Sequence, residues 1–216
     1  AYRDASFGQN GVFYPSNGRV EGNSYGNSVV KVLDDDRILM VQSTHGSSYN
    51  KTVIYRILPN GELDKTFNDV GHTSLGFTDH SLIPRSIDVQ SDGKIIITGF
   101  WDNKVGLLRY TEDGRVDDSF GDSGRVLIDL TGQSQYHDAY SIKILRDNKI
   151  LIAGYVGYPS DAFVLRFNSD GTLDDQFGDG GMVFSDLDNG RETISSMDID
   201  DAGNIIIAGS HEPNGG

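Results

Sequence analysis

Polar turn residues and short apolar runs alternate along the whole chain. Asp34-Asp-Asp-Arg-Ile-Leu-Met40, Ser91-Asp-Gly-Lys-Ile-Ile-Ile97, Arg146-Asp-Asn-Lys-Ile-Leu-Ile152 and Asp201-Ala-Gly-Asn-Ile-Ile-Ile207 are four copies of one pattern, a tight turn feeding an Ile-rich run. Such turns beside β-branched residues predict β-hairpins. No apolar stripe with the 3.6-residue period of a helix reaches helical length.

A second marker repeats out of phase with the first. Ile54-Tyr-Arg-Ile-Leu-Pro-Asn-Gly-Glu-Leu-Asp-Lys-Thr-Phe67, Leu107-Leu-Arg-Tyr-Thr-Glu-Asp-Gly-Arg-Val-Asp-Asp-Ser-Phe120 and Val164-Leu-Arg-Phe-Asn-Ser-Asp-Gly-Thr-Leu-Asp-Asp-Gln-Phe177 align without gaps, and Asp4-Ala-Ser-Phe7 is the tail of a further copy. With the unit at 85–130 as the pattern, strand a is Arg85–Gln90, b Lys94–Phe100, c Lys104–Thr111 and d Gly124–Leu130. Four strands per unit, at a spacing near 55 residues, predict an all-β chain: a β-propeller, or propeller fragment, of four-stranded antiparallel blades, about 3.5–4 of them here. The whole of 1–216 reads as one propeller-type repeat domain, with units at 27–77, 85–130, 139–187, and 194–216 plus 1–16. A β-sandwich is the alternative, but it would not need the same hairpin and the same c–d loop in every unit.

Three features together resemble the bacterial delta-60 repeat family: the Asp-Gly-Lys type of turn, the Ile-rich strand ending in Thr98-Gly99, Ala153-Gly154 or Ala208-Gly209, and the loops Phe120-Gly-Asp-Ser-Gly124 and Phe177-Gly-Asp-Gly-Gly181. The resemblance implies a β-propeller-like fold in large, secreted or surface-attached bacterial proteins; it implies no reaction and no catalytic residue. The early repeats depart from the pattern, with Val41-Gln42 in place of Ala/Thr-Gly and Phe67-Asn68 in place of Phe-Gly.

Composition narrows the partners. The formal net charge of −14 repels phosphate backbones, which argues against nucleic acid and anionic membrane surfaces. No apolar run approaches the roughly 20 residues of a membrane span, and no secretory leader opens the chain, so a mature or trimmed fragment is expected. Without cysteine there is no disulfide, thiolate nucleophile or Cys-based zinc site.

Arg56, Arg109 and Arg166 each precede an aspartate by eight residues, Asp64, Asp117 and Asp174. Constant spacing across a turn predicts a structural clamp between strand c and its loop, with an Arg/Asp binding or acid–base site as the alternative. Phe7, Phe67, Phe120 and Phe177 are expected to plug the gaps between sheets. The glycine-rich loops after them precede no helix and carry aspartates, which argues against phosphate. Asp179, Asp186, Asp188 and the Asp170/Asp174/Asp175 cluster suggest calcium at most, without EF-hand spacing, and read first as turn-capping residues. No other cofactor is called for.

One face of a propeller is built from the b–c and d–a loops, and here these differ between units. The candidate ligand-binding residues His45, Tyr49, Trp101, Asp102, Tyr136, His137, Tyr158 and His211 all fall on them, beside His80 and Tyr25. Aromatic faces beside Asn, Asp and Ser suit sugar rings and their hydroxyls; the alternative is that loops simply tolerate such residues. No G-x-S-x-G or H-E-x-x-H motif occurs. The expectation is therefore a non-catalytic extracellular binding or spacer module of a larger surface or secreted protein, with a glycan or a surface protein as partner; a propeller hydrolase or lyase acting on polysaccharide is the alternative. Register leaves strands a and b of the last unit without a strand c, so the isoleucine-rich edge at Ile205–Ile207 is expected to meet further blades, from a second chain or a removed segment.

Overall fold

The computed structural model describes residues 3–14, 26–45, 50–74, 82–130, 137–157, 160–185 and 190–213, leaving aside the side chains of 44, 45, 50 and 51. Among the described residues there is no helix and there are fourteen strands. Three four-stranded antiparallel blades follow one another: β1 (Ser28–Val32), β2 (Ile38–His45), β3 (Asn50–Ile57) and β4 (His72–Ser74); β5 (Ile83–Val89), β6 (Ile95–Phe100), β7 (Val105–Tyr110) and β8 (Arg125–Ile128); β9 (His137–Ile144), β10 (Ile150–Gly157), β11 (Ser160–Phe167) and β12 (Met182–Ser185). Strands β13 (Arg191–Ile199) and β14 (Ile205–Glu212) form a two-stranded fourth sheet. This is the all-β propeller architecture expected from the repeats.

Each a–b hairpin is the same three-residue loop. Its third residue (Asp36, Gly93, Asn148 or Gly203) lies at φ between 63° and 86°, where Gly, Asn and Asp are tolerated. The b strands run further than the sequence pattern suggests: β10 reaches Gly157 and β14 reaches Glu212, so Tyr155 and His211 stand on strands rather than in loops.

The Thr/Ala-Gly motif marks a bulge. Strand a slips by one residue against strand b at Arg85, Tyr140 and Ser195, and a Cβ at the facing Gly99, Gly154 or Gly209 would collide with the carbonyl of Ile83, Asp138 or Thr193. The first blade has Gln42 at that position, and its β1–β2 register is unbroken.

Blades lock to one another through the c–d loops. Phe67 and Phe120 are fully buried, and each ring lies against the glycine of the next blade's turn, 2.7 Å from where a Cβ of Gly114 would stand and 2.8 Å from that of Gly171. The N–H after Phe7, Phe67 and Phe120 crosses to the next blade: Gly8 to Asn60 O (2.8 Å), Asn68 to Asp113 O (2.7 Å) and Gly121 to Asp170 O (3.1 Å). Asn68 adopts φ 48°, as the glycines at this position do, and its side-chain amide bonds His72 O at 3.1 Å, a carbonyl equivalent to those that a backbone N–H reaches in the later blades. Between blades lie apolar cores, one around Phe67, Ile95, Ile97 and Trp101, a second around Phe120, Ile150, Ile152 and Phe163. The third, between β9–β12 and β13–β14, is smaller.

Candidate functional site

The clamp residues sit where strand c meets its loop. Arg56 Nε bonds Asp64 at 2.7 Å, Arg109 Nε bonds Asp117 at 2.8 Å and Arg166 Nε bonds Asp174 at 2.6 Å, each guanidinium resting 4.5–4.9 Å from the plug phenylalanine's centroid. The arginines also reach forward: Arg56 Nη1 donates to Glu112 O of the next blade (2.6 Å), and Arg109 Nη1 to Ser169 O. Burial works against the charge of Asp64 and Asp117, but hydrogen bonds from Thr66 and Ser119, with the arginines' charge, hold both carboxyls below the usual range. Arg56 and Arg109 are thereby held by their own aspartates and by carbonyls of the next blade.

Of the loop residues, Tyr49, Tyr136 and Tyr158 lie outside the described residues, as do His80 and Tyr25, and His45 is placed only as the end of β2 opposite Asn50. Trp101 is corrected. At 2% exposure its ring belongs to the core between the first two blades and is no stacking platform. Trp101 and Lys104 exchange both backbone hydrogen bonds (2.9 Å each) across Asp102-Asn103, whose φ values of 49° and 56° make a type I′ turn; Asp102 serves hairpin geometry. His211 meets Glu192 at 2.9 Å on β13, apart from His137 on β9.

His137 does enter a site. It opens β9, beside the bulge, and is only 2% exposed, yet neither ring nitrogen has a hydrogen-bond partner among the described residues; nor does Oδ1 of the adjacent Asp138. Both line a cavity of about 380 Å³ between the second and third blades, together with Arg85, Asn103, Phe100 and Tyr155. Arg85, the bulged residue of β5, reaches across to Asp138 Oδ2 (2.8 Å from Nε, 2.6 Å from Nη2) and lies 5.0 Å from the ring centroid of Tyr140, the bulged residue of β9. Tyr140 in turn stacks on Tyr155 at 5.9 Å. Burial pushes the Asp138 carboxyl above the ordinary carboxylate range despite Arg85.

A larger cavity, of about 650 Å³, lies along the inner strands and is lined by Lys31, Asp88, Lys143 and Asp198. Four of its charges are already paired, Lys31 with Asp88 at 2.7 Å and Lys143 with Asp198 at 2.9 Å. The smaller cavity is the better candidate, because its buried polar atoms lack partners. Among the described residues no three acidic or histidine side chains converge, Asp170 caps Thr172, and Asp174 is taken by Arg166 and Lys149. Asp186 and Asp188 lie outside the described residues.

Residues 90–120 and 145–177 match the model of a family described as a domain of unknown function (DUF5122) beta-propeller. Two stretches of the chain are thus similar to a β-propeller family. Each DUF5122 match runs from the end of strand a, through strands b and c and the Arg–Asp clamp, to the plug phenylalanine, which agrees with the delta-60 resemblance. Asn103 and Tyr155 fall inside the matched stretches, whereas Arg85, His137 and Asp138 fall outside them. No curated protein matches the chain.

Proposed function

We propose that this chain is a non-catalytic, extracellular binding and spacer module of a larger surface or secreted protein, and that the cavity at His137 and Asp138 takes a glycan. The unpartnered buried nitrogens of His137 and oxygen of Asp138 are the observation that carries this reading. Leaving such groups without partners costs about 1–3 kcal/mol each, a cost that a ligand's hydroxyls would offset. A sugar hydroxyl can donate to Asp138 Oδ1 and another accept from His137, while the half-buried ring of Tyr155 offers an apolar wall beside them. Among the described residues Asp138 is the only carboxylate lining the cavity, so the carboxylate pair that most glycoside hydrolases use is not assembled there.

A glycan array followed by titration calorimetry on the hits tests the proposal, with and without calcium. Asp138→Asn and Tyr155→Ala are each expected to weaken a hit about tenfold to a hundredfold, the equivalent of one lost charge-assisted hydrogen bond or stacking surface. Unchanged affinity in folded Asp138→Asn would move the site elsewhere. Turnover of a polysaccharide without retention of any glycan would favour the hydrolase or lyase.

A further inference from the structure

One position of the bulged blades changes character from junction to junction. Three residues before the bulge, strand a meets the end of strand b. The two side chains there are Leu82 and Trp101 in the second blade, His137 and Val156 in the third, and Glu192 and His211 in the fourth. The first pair is apolar and closes the core between the first two blades. In the second pair the histidine is polar and buried, and it borders the cavity between the second and third blades. The third pair is polar throughout. Glu192 is 3% exposed, its carbonyl is held by Ser160 Oγ of the third blade at 2.7 Å, and its Oε1 meets Nδ1 of the part-exposed His211 at 2.9 Å. Its Oε2 is buried and has no partner among the described residues. A carboxylate only accepts, so Nδ1 of the neutral ring carries the proton and Nε2 keeps its lone pair. Glu192 Oε2 and His211 Nε2 are thus two acceptors at a place where the second blade has hydrocarbon.

We propose that Glu192 and His211 form a second subsite, one junction along from His137 and Asp138, and that successive units of one uncharged, hydroxyl-rich oligosaccharide occupy the two. This rests on the reading of the His137 cavity as a glycan site and extends it to the class of glycan. Both places are the same position of successive blades, so they open on the same rim with the third blade's sheet between them. Sheets stacked face to face lie about 10 Å apart. One sugar ring does not reach that far, and a chain does. The second subsite takes donors, and Asp138 Oδ1 in the first takes another, which a row of hydroxyls supplies. Charge sets the rest. A uronate chain would bring its carboxylates to two buried carboxyl groups on a chain of net charge −14, and the arginine lining the cavity, Arg85, already holds Asp138.

Titration calorimetry of the full chain tests this with glucose, mannose and N-acetylglucosamine oligomers, each from monomer to hexamer, and with oligogalacturonate as the acidic comparison. In a series that binds, affinity is expected to rise about tenfold or more from the shortest binding member to the hexamer, the gain of one further hydrogen-bonded contact, and oligogalacturonate to be rejected. Glu192→Leu, which installs the second blade's residue, should abolish that gain and leave the shortest member's affinity as it was. If Glu192→Leu lowers the unfolding midpoint, His211→Val, the third blade's residue, reads the same loss. Asp138→Asn is expected to weaken every member of the series, so the two subsites fail separately. Affinity that is flat with length, or a gain that survives both Glu192→Leu and His211→Val, overturns the second subsite and leaves the first standing. Tighter binding of oligogalacturonate than of any neutral series overturns the class of glycan. No binding in any series overturns both subsites.

Discussion

Arg109→Ala separates the clamp's two contributions, because Arg166 is the same residue without the forward contact. Arg109 is buried, bonds Asp117 at 2.8 Å and Ser119 Oγ at 3.2 Å, and donates to Ser169 O across the blade junction. Truncating it strands a buried carboxylate and a next-blade carbonyl. Breaking a buried pair in this way costs about 3–5 kcal/mol. Lys94 Nζ, 3.6 Å from Asp117, remains to compensate in part, which places the expectation near the lower end, about 3 kcal/mol. In a chain of this size that corresponds to a fall of about 6–12 °C in the unfolding midpoint. Arg166→Ala is expected to cost clearly less, since Lys149 still holds Asp174 at 2.8 Å and no junction is opened. Urea unfolding followed by far-ultraviolet circular dichroism reads the global loss, and the single tryptophan, Trp101, reports the junction between the first two blades. In Arg109→Ala the dichroism midpoint should fall further than the Trp101 midpoint, because stability in such arrays is local to each junction. Equal losses for Arg109→Ala and Arg166→Ala would refute the forward contact as a source of stability.

Three further outcomes follow from the same geometry. Trp101→Ala should cost about 3–5 kcal/mol, since a buried aromatic ring is removed; a change that left the thermal midpoint in place would return the ring to the surface. Gly154→Ala forces a Cβ into the Asp138 carbonyl and should cost about 1–3 kcal/mol together with any affinity for a glycan, whereas Gln42→Gly, in the blade without a bulge, should cost only about 0.5–1 kcal/mol; calorimetric unfolding compares the two. The lowered carboxyls of Asp64 and Asp117 are lowered by folding, so the unfolded chain takes up their protons first as pH falls. Their stabilisation is present above the ordinary aspartate value near 4 and is lost as pH drops through the lower folded values, so the urea midpoint should hold from pH 7 to about 5 and decline below about 4. Asp138, raised by burial, contributes in the opposite sense, and a midpoint that rose on acidification would show it outweighing the clamps.

The clamp and the blade were legible because they are local and repeated: eight residues separate each arginine from its aspartate, and the a–b turn is the same length in every unit. The departures were legible too, once their geometry is known. Gln42 replaces a glycine and the bulge is missing; Asn68 replaces a glycine and keeps its left-handed backbone. Trp101 carries a readable signal of burial. Ile95, Ile97 and Trp101 share the parity of one strand face, and all three belong to one core. Extending the alternation to the end of the hairpin would have placed the ring inside, with only Asp102 and Asn103 left for the turn.

The cavity was illegible for a different reason. Its central pair, Arg85 and Asp138, is 53 residues apart, and the two meet where the second and third blades bulge at the same point. The bulge turns Arg85 and Tyr140 out of the strand alternation toward the next blade, so no spacing within one unit encodes the contact. What the repeat supplies is the position, and what varies there supplies the chemistry: the residue three before the bulge is Leu82 in the second blade, His137 in the third and Glu192 in the fourth. A leucine in that place completes a core, while a buried histidine or glutamate with unpartnered atoms does not. Function in an array of this kind is therefore sought by aligning the units and asking where an equivalent position turns polar while staying buried. By that criterion His137 with Asp138 comes first and Glu192 with His211, whose Oε2 is also without a partner among the described residues, comes second.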